Sequence, residues 1–324
     1  MGKYDDLLLA DRGPLQSPYQ GRALLNDRYY NKGTAFSHDE RHSLGLNGML
    51  PTNLQNLDQQ VSRAYEQYSQ LETDLEKNTF MTSMQEQNSV LYFRLIQDHV
   101  KEMFSIIYTP TEGEAIENYS RVFRRPDGCY LTINHPREVE DRLSKFVVPG
   151  AEDGGIDYIV VTDGEQILGI GDQGIGGILI SIAKLALTTV CAGIHPNRTL
   201  GVVLDTGTNN EKLLNDNMYL GIKKNRVRGQ QYDDFVDNFF QSVRKLFPKA
   251  YVHFEDFGVH NARRLLDRYR KQYAVFNDDV QGTGCVTLAS IMAAAKLSKI
   301  KVGDLKVMSF GAGSAGSGRD RQLQ

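Results

Sequence analysis

Two acidic pairs, each closing a short β-prone run, constrain this chain more than any other feature. Glu255-Asp256 follow Tyr251 to Phe254, and Asp278-Asp279 follow Tyr273 to Phe276. Between them, Val259 to Lys271 has the spacing of an amphipathic helix. The unit reads strand-helix-strand and sets both pairs at carboxyl ends of strands, where open α/β folds place ligands. Carboxylates brought together repel unless a cation or a proton lies between them. Hard oxygen donors with no cysteine or histidine cluster point to Mg²⁺ or Mn²⁺ rather than Zn²⁺. The alternative is two helix N-caps or solvated turns.

The rest of the chain extends that pattern. Residues 1–55 are rich in Gly, Asn, Asp and Arg and read as an extended arm with short helices. Such an arm either wraps a partner subunit or forms an irregular lobe. Residues 56–271 start helical, with one long helix expected from Ser83 to Ile107 and another from Glu114 to Phe123. Pro110, in Tyr108-Thr109-Pro110-Thr111, stops the first of these. From Asp157 strands and helices alternate, with strands expected at Tyr158 to Thr162, Leu200 to Leu204, Tyr251 to Phe254, Tyr273 to Phe276 and Leu305 to Phe310. That alternation is the mark of a largely parallel α/β sheet. Residues 272–324 read as the start of a further nucleotide-binding domain.

Lys184 is the only formally charged residue between Gln173 and Asn197. An ammonium inside an apolar helix is costly unless paired, and desolvation lowers its pKa toward that of a general base. Asp278 is a candidate partner. The alternative is a lysine whose tip reaches water along the helix surface. Near the end, Val307 to Phe310 lead into Gly311-Ala312-Gly313-Ser314-Ala315-Gly316. A strand running into GxGxxG matches the turn that brings a dinucleotide pyrophosphate onto a helix amino terminus. The segment after Gly316 lacks an apolar helical face. No acid stands about 20 residues further on to read a ribose.

Composition excludes several classes. A net charge of −3 over 324 residues does not fit an electrostatic nucleic-acid binder. Cys129, Cys191 and Cys285 have no ligand spacing and fit a reducing compartment. No apolar run reads as long and pure enough to span a membrane. The acids Asp5, Asp6 and Asp11 argue against a secretory signal or a presequence, so a cytoplasmic location is expected, or a mitochondrial one if the amino terminus is incomplete.

Several motifs together carry a resemblance: NKGTAF, LGLNGMLP, IIYTPTEGEA, FRRPDG, VVTDGEQILGIGDQGIGG, AKLAL, CAGIHP, NNEKLLND, MYLG, HFEDF, FNDDVQGT and FGAGSAG. They span roughly residues 18–316, and the chain resembles the malic enzymes, above all the fungal ones. The resemblance implies three parts: a helical amino-terminal lobe, a parallel α/β domain, and the first strand and GxGxxG turn of an incomplete Rossmann domain. It implies oxidative decarboxylation of malate to pyruvate and CO₂ with NAD or NADP, and decarboxylation of oxaloacetate, in a homo-oligomer without nucleic acid or membrane. By resemblance, Glu255, Asp256 and Asp279 ligate the metal, Lys184 is the base, Tyr108 the acid, and Asp278 tunes Lys184. Gly311, Gly313, Ser314, Ala315 and Gly316 would contact the cofactor. Gln166 stands where many members carry an Arg for the substrate carboxylate. The missing remainder of the nucleotide domain leaves a second expectation. The truncated chain would then be inactive, or active on oxaloacetate alone, as a partner of full-length subunits.

Overall fold

The computed structural model describes residues 17–308, 310–311, 313–316 and 318. The chain forms two compact units, Met1–Phe104 and Ser105–Gln324. The first holds the helices α1 (Gly21–Leu25), α2 (His38–Ser43), α3 (Leu57–Ser69), α4 (Asp74–Gln87) and α5 (Ser89–Asp98). Next comes α6 (Val100–Ile107). Reciprocal capping boxes start three of these helices, at Ser37/Glu40, Asn56/Gln59 and Thr73/Glu76. The described part of the expected arm packs around its own cluster of Leu24, Phe36 and Leu46. Buried Arg41 ties it by donating to the carbonyls of Phe36 and Pro51 at 2.9 and 2.6 Å. Residues 1–16, including the acids weighed against a signal sequence, lie outside the described residues.

The single helix expected from Ser83 to Ile107 is broken twice. Asn88 leaves the helical region at φ −153°, and its side chain caps the next helix through Leu91 N–H at 3.0 Å. This is the usual competition between a short amide side chain and the backbone ladder. The second break falls at His99 (φ −127°), whose ring stacks on Tyr65 with centroids 3.7 Å apart.

The second unit is built on one sheet. Its elements are α7 (Thr111–Glu117), β1 (Cys129–Thr132), α8 (Val139–Ser144), β2 (Tyr158–Thr162), α9 (Ile178–Ala192), β3 (Thr199–Asp205) and α10 (Glu211–Leu214). They continue with α11 (Gln230–Leu246), β4 (Tyr251–Phe254), α12 (Val259–Tyr269), β5 (Val275–Asn277) and α13 (Thr283–Ser298). The strands run parallel in the order β1-β3-β2-β4-β5. The α/β class is as expected. The short edge strand β1 was not among the expected strands, although Cys-Tyr-Leu-Thr after Asp-Gly is a β-prone run behind a turn. The second expected helix is shorter, ending at Glu117 rather than Phe123.

One face of the sheet is covered by α11 and α12. Ile159, Val161, Val202, Leu204, Val252 and Phe254 pack there with Phe235, Phe239, Phe240, Leu265 and Leu266. The ring of Phe240 stacks on Tyr269 at 3.9 Å and meets Phe254 edge-on at 5.7 Å. Helix α9 packs against β2 and β3, and Ser181 Oγ donates to Val202 O at 3.2 Å. With helices on both sides, β2 lies where connections leave in opposite directions. That is the switch point at which such sheets open a crevice at their carboxyl ends.

Two expectations need correction. Gly174–Ala192 and Asp278–Ser298 are by length and composition long and apolar enough to cross a membrane. The first is apolar because it lies mostly buried inside this unit, and its Lys184 is ion-paired. The second is mostly exposed, and it begins with the acidic pair Asp278-Asp279. The strand expected at Leu305 to Phe310 does not form among the described residues, where Met308 and Phe310 are almost fully exposed. Ser309 lies outside them. The sheet ends at the three-residue β5, and none of the described residues of this segment pairs with that short edge.

Phe240 anchors the aromatic face, so Phe240→Ala should cost about 3–5 kcal/mol. Urea unfolding should show a lower midpoint at unchanged slope. A loss below about 1 kcal/mol would mean that α11 does not depend on this ring.

Candidate metal and acid/base site

Strands β2, β4 and β5 end level with one another. Val161 pairs with Phe254, and Phe254 with Asn277. The residues after each strand therefore emerge together: Asp163 after β2, Glu255 and Asp256 after β4, Asp278 and Asp279 after β5. From α9, Lys184 reaches the same edge. Its Nζ lies 2.9 Å from Glu255 Oε1 and 2.8 Å from Asp278 Oδ2. It also lies 5.0 Å from the centre of the Tyr108 ring, within cation–π reach. Tyr108, in the turn between α6 and α7, donates its hydroxyl to Glu255 Oε1 at 3.3 Å.

The electrostatics of Lys184 reverse one expectation. Burial pushes its ammonium down, but Glu255, the Tyr108 phenol and Asp278 pull it well above the ordinary lysine range. In the metal-free centre Lys184 is a firmly held cation, not a ready base. Burial and the neighbouring Glu255 also hold the Tyr108 phenol above its usual range, so it keeps its proton.

Across from the lysine lies a carboxylate trio. One oxygen each from Glu255, Asp256 and Asp279 falls within 4.8 Å of the others. Glu255 and Asp256 are buried, and Asp279 is partly buried. Asp256 is held well above the usual carboxylate range by burial and by Asp279 and Glu255. Asp279 is pushed up to about 7 by burial and by Glu255. These groups share a shortage of positive charge. A hard oxygen set this close fits Mg²⁺ or Mn²⁺, which would replace the protons the trio otherwise holds.

The backbone is shaped to the same end. Asp256 adopts φ +52° and Leu168 φ +45°, both in the left-handed region that non-glycine residues seldom enter. The two are joined, since Leu168 N–H donates to Asp256 Oδ2 at 2.9 Å. Asp256 N–H donates in turn to Asp279 Oδ2 at 2.9 Å. The loop carrying Leu168 is itself clamped. Arg226, buried, forks onto both Asp172 oxygens at 2.7 Å and donates to Asp163 O at 2.7 Å. Asp163 accepts from Tyr232 Oη at 2.8 Å and Gly258 N–H at 3.2 Å. Gly164, at φ +69°, closes this loop where a Cβ would lie 2.1 Å from Gly174 O. Sequence reasoning missed this support, and the signal was there. Asp163 and Asp172 bracket a glycine-rich turn at the end of a strand.

Gln166 joins the site through its backbone, donating to Asp256 O at 3.3 Å, while its side chain is exposed. Gly311 and Gly313 are exposed, and Ser314 to Gly316 are helical. Without a strand before them among the described residues, the expected pyrophosphate cradle is not assembled there. Another residue missed from sequence is His253, which bonds Glu255 Oε2 through Nε2 at 2.7 Å.

A parallel sheet that gathers a lysine, a tyrosine and a carboxylate trio at its carboxyl edge defines a class: α/β proteins with a charged crevice at the carboxyl ends of their strands. Comparison with known proteins narrows it. The N-terminal domain model of malic enzymes matches residues 85–270, and the family's NAD binding domain model matches residues 280–324. The chain belongs to the malic enzyme family. It is 52% identical over 315 residues to the mitochondrial NAD-dependent malic enzyme of Saccharomyces cerevisiae, covering 97% of this chain and 46% of that one. Against the NAD-dependent malic enzyme of Schizosaccharomyces pombe it is 47% identical, covering 95% and 54%. Against NAD-dependent malic enzyme 3 of Bacillus subtilis it is 47% identical, covering 98% and 55%. The chain thus spans about half the length of the curated relatives it matches.

The raised acids set a pH dependence. The Asp279 carboxyl titrates near 7 when folded and near its ordinary value of 3.8 when unfolded. Its protonation therefore stabilises the metal-free fold fully below about pH 4, and that stability is lost as pH rises through about 7. Metal-free melts should fall in temperature between about pH 4.5 and 7, by more than in Asp279→Asn. Equal slopes for the two chains would show that Asp279 is not protonated in the metal-free fold.

Proposed function

We propose that this chain carries the metal and acid/base centre for NAD-dependent oxidative decarboxylation of malate to pyruvate and CO₂. The observation that carries the reading is the position of Lys184 between Glu255 and Asp278, beside Tyr108 and the carboxylate trio. The family's NAD binding domain model and the names of the relatives support NAD as the nucleotide.

Glu255, Asp256 and Asp279 would hold Mg²⁺ or Mn²⁺. When bound, the cation supplies a Lewis acid for the 2-oxygen of the substrate and for the enolate left by CO₂ loss. Lys184 serves as base for the 2-hydroxyl proton once Glu255 shares its charge with a cation, because half of the anionic field that locks the ammonium is then withdrawn. Asp278 keeps Lys184 oriented and remains to receive the ammonium after transfer. Tyr108, protonated and hydrogen-bonded to Glu255, is the donor to C3 that turns enolate into pyruvate. With Gln166 neutral, the substrate carboxylate takes no ion pair from that position.

Oxaloacetate isolates the later steps, since its 2-oxygen is already a keto oxygen: its decarboxylation needs the cation and Tyr108 but neither hydride transfer nor a base for a hydroxyl proton. The 324-residue chain should release CO₂ from oxaloacetate only with Mn²⁺ present. Tyr108→Phe should lower kcat by about 10²–10⁴-fold with a much smaller change in KM, and Lys184→Ala should lower it by less than Tyr108→Phe does. Mn²⁺ should raise the melting temperature of the unmutated chain. Asp256→Asn should abolish that rise without lowering the metal-free melting temperature, because Asn tolerates the left-handed backbone at this position and its amide oxygen can still accept from Leu168 N–H. A Mn²⁺-induced rise that survives Asp256→Asn would sink the assignment of the trio.

A further inference from the structure

Glu255 is the busiest group at this edge. Its Oε1 meets Lys184 Nζ at 2.9 Å and Tyr108 Oη at 3.3 Å. Its Oε2 meets His253 Nε2 at 2.7 Å. His253 is buried within β4, two residues before Glu255, so both side chains leave the same face of the strand. The other ring nitrogen is also committed. His253 Nδ1 lies 2.7 Å from the hydroxyl of Tyr158, which comes from the neighbouring strand β2. The ring is further held edge-on against Phe276 of β5, with centroids 5.3 Å apart.

The donor roles follow from chemistry. A carboxylate oxygen can only accept, so Nε2 carries the proton toward Glu255. In a neutral ring Nδ1 is then the acceptor, and the Tyr158 hydroxyl must donate to it. Glu255 thus fixes the tautomer, and the Tyr158 hydroxyl, which can donate or accept, donates to the nitrogen left bare and holds the ring in place. Other sites are excluded by the same count. His253, Glu255 and Asp278 also fall within 4.8 Å of one another, in a geometry a metal ion could take. In the neutral ring both nitrogens are engaged by Tyr158 and Glu255, so the ring has no free lone pair for a metal.

We propose that the Tyr158–His253 pair is a positioning device that holds Glu255 Oε2, so that this carboxylate presents Oε1 toward Lys184 and its charge toward Asp256 and Asp279. The inference rests on the metal reading of the trio given above. His253 touches no reacting atom in it and acts through Glu255. The tautomer-fixed donor does for this carboxylate what a second group does for a ligating imidazole elsewhere. It removes the freedom of the carboxylate to rotate, which otherwise has to be lost when the cation binds.

Mn²⁺ titration of the purified 324-residue chain, followed by the loss of the free-ion electron paramagnetic resonance signal, tests the device without any turnover. His253→Gln places an amide nitrogen where Nε2 stands, and His253→Asn places one nearer Nδ1. His253→Gln should bind Mn²⁺ within about 3-fold of the unmutated chain, and His253→Asn about 10–100-fold more weakly. Tyr158→Phe, which removes the hydrogen bond that holds Nδ1 but leaves the ring, should fall between them. The ¹⁵N spectrum of His253 should show Nε2 protonated in both chains, with Nδ1 hydrogen-bonded in the unmutated metal-free chain and free of that bond in Tyr158→Phe. Equal Mn²⁺ affinity in His253→Gln, His253→Asn and the unmutated chain would overturn the positioning role. An equally large loss in His253→Gln and His253→Asn, with metal-free melting unchanged, would overturn it in favour of direct ligation by the ring. Absence of saturable Mn²⁺ binding by the unmutated chain overturns the metal reading, and this inference with it.

Discussion

A cation buried against a sheet must be neutralised where it lies, and at this edge the cation is Lys184. Its ammonium has Glu255 on one side and Asp278 on the other, at 2.9 and 2.8 Å. Two carboxylates for one ammonium leave an anionic excess, and Asp256 and Asp279 add to it. Burial makes that excess expensive, so Asp256 and Asp279 hold protons that they would lose in water. The centre is therefore in a state that a divalent cation improves on. A cation held by Glu255, Asp256 and Asp279 would take the place of those protons and would share Glu255 with Lys184.

The fold supplies this crowding through register. Strands β2, β4 and β5 end together because Val161, Phe254 and Asn277 are aligned across the sheet. A slip by one residue would turn every side chain on a strand to the opposite face. The aromatic face under α11 and α12 penalises that slip, since Phe254 would leave its contacts with Phe240 and Phe257. Core packing and site geometry are thus set by the same pairing.

What the sequence revealed and what it hid follow from range. The acidic pairs were legible because each sits directly behind its own β-prone run, and Lys184 because it interrupts an apolar helix. Each is a local signal. The sequence also offered Asp278 as a candidate partner for Lys184. The breaks at Asn88 and His99 were hidden because a side-chain cap and a ring stack decided them against an apolar periodicity that runs straight through. The clamp of Arg226 on Asp172 and Asp163 joins residues far apart in the chain: the glycine-rich turn that the two acids bracket marks the loop, but nothing near it points to Arg226 as the residue that closes it. The pKa of Lys184 was misread for the same reason. Burial was visible from the helix alone, whereas the second carboxylate, Glu255, arrives from another strand.

Strain and support are matched at the site. Asp256 and Leu168 both occupy left-handed backbone, at a cost of order 1–3 kcal/mol each. Such conformations persist only where the surroundings over-determine them. Here Leu168 N–H bonds Asp256, Asp256 N–H bonds Asp279, and the Asp163–Arg226–Asp172 clamp holds the loop from beneath. None of these bonds places a positive charge on the trio. The chain fixes the backbone of the acidic edge by neutral N–H donors and keeps its one nearby ammonium, Lys184, on the far side of Glu255. A fold that sought only to stabilise these carboxylates would bring an arginine to them, as Arg226 is brought to Asp172. Without such a partner the trio keeps the charge that the proposed cation would neutralise.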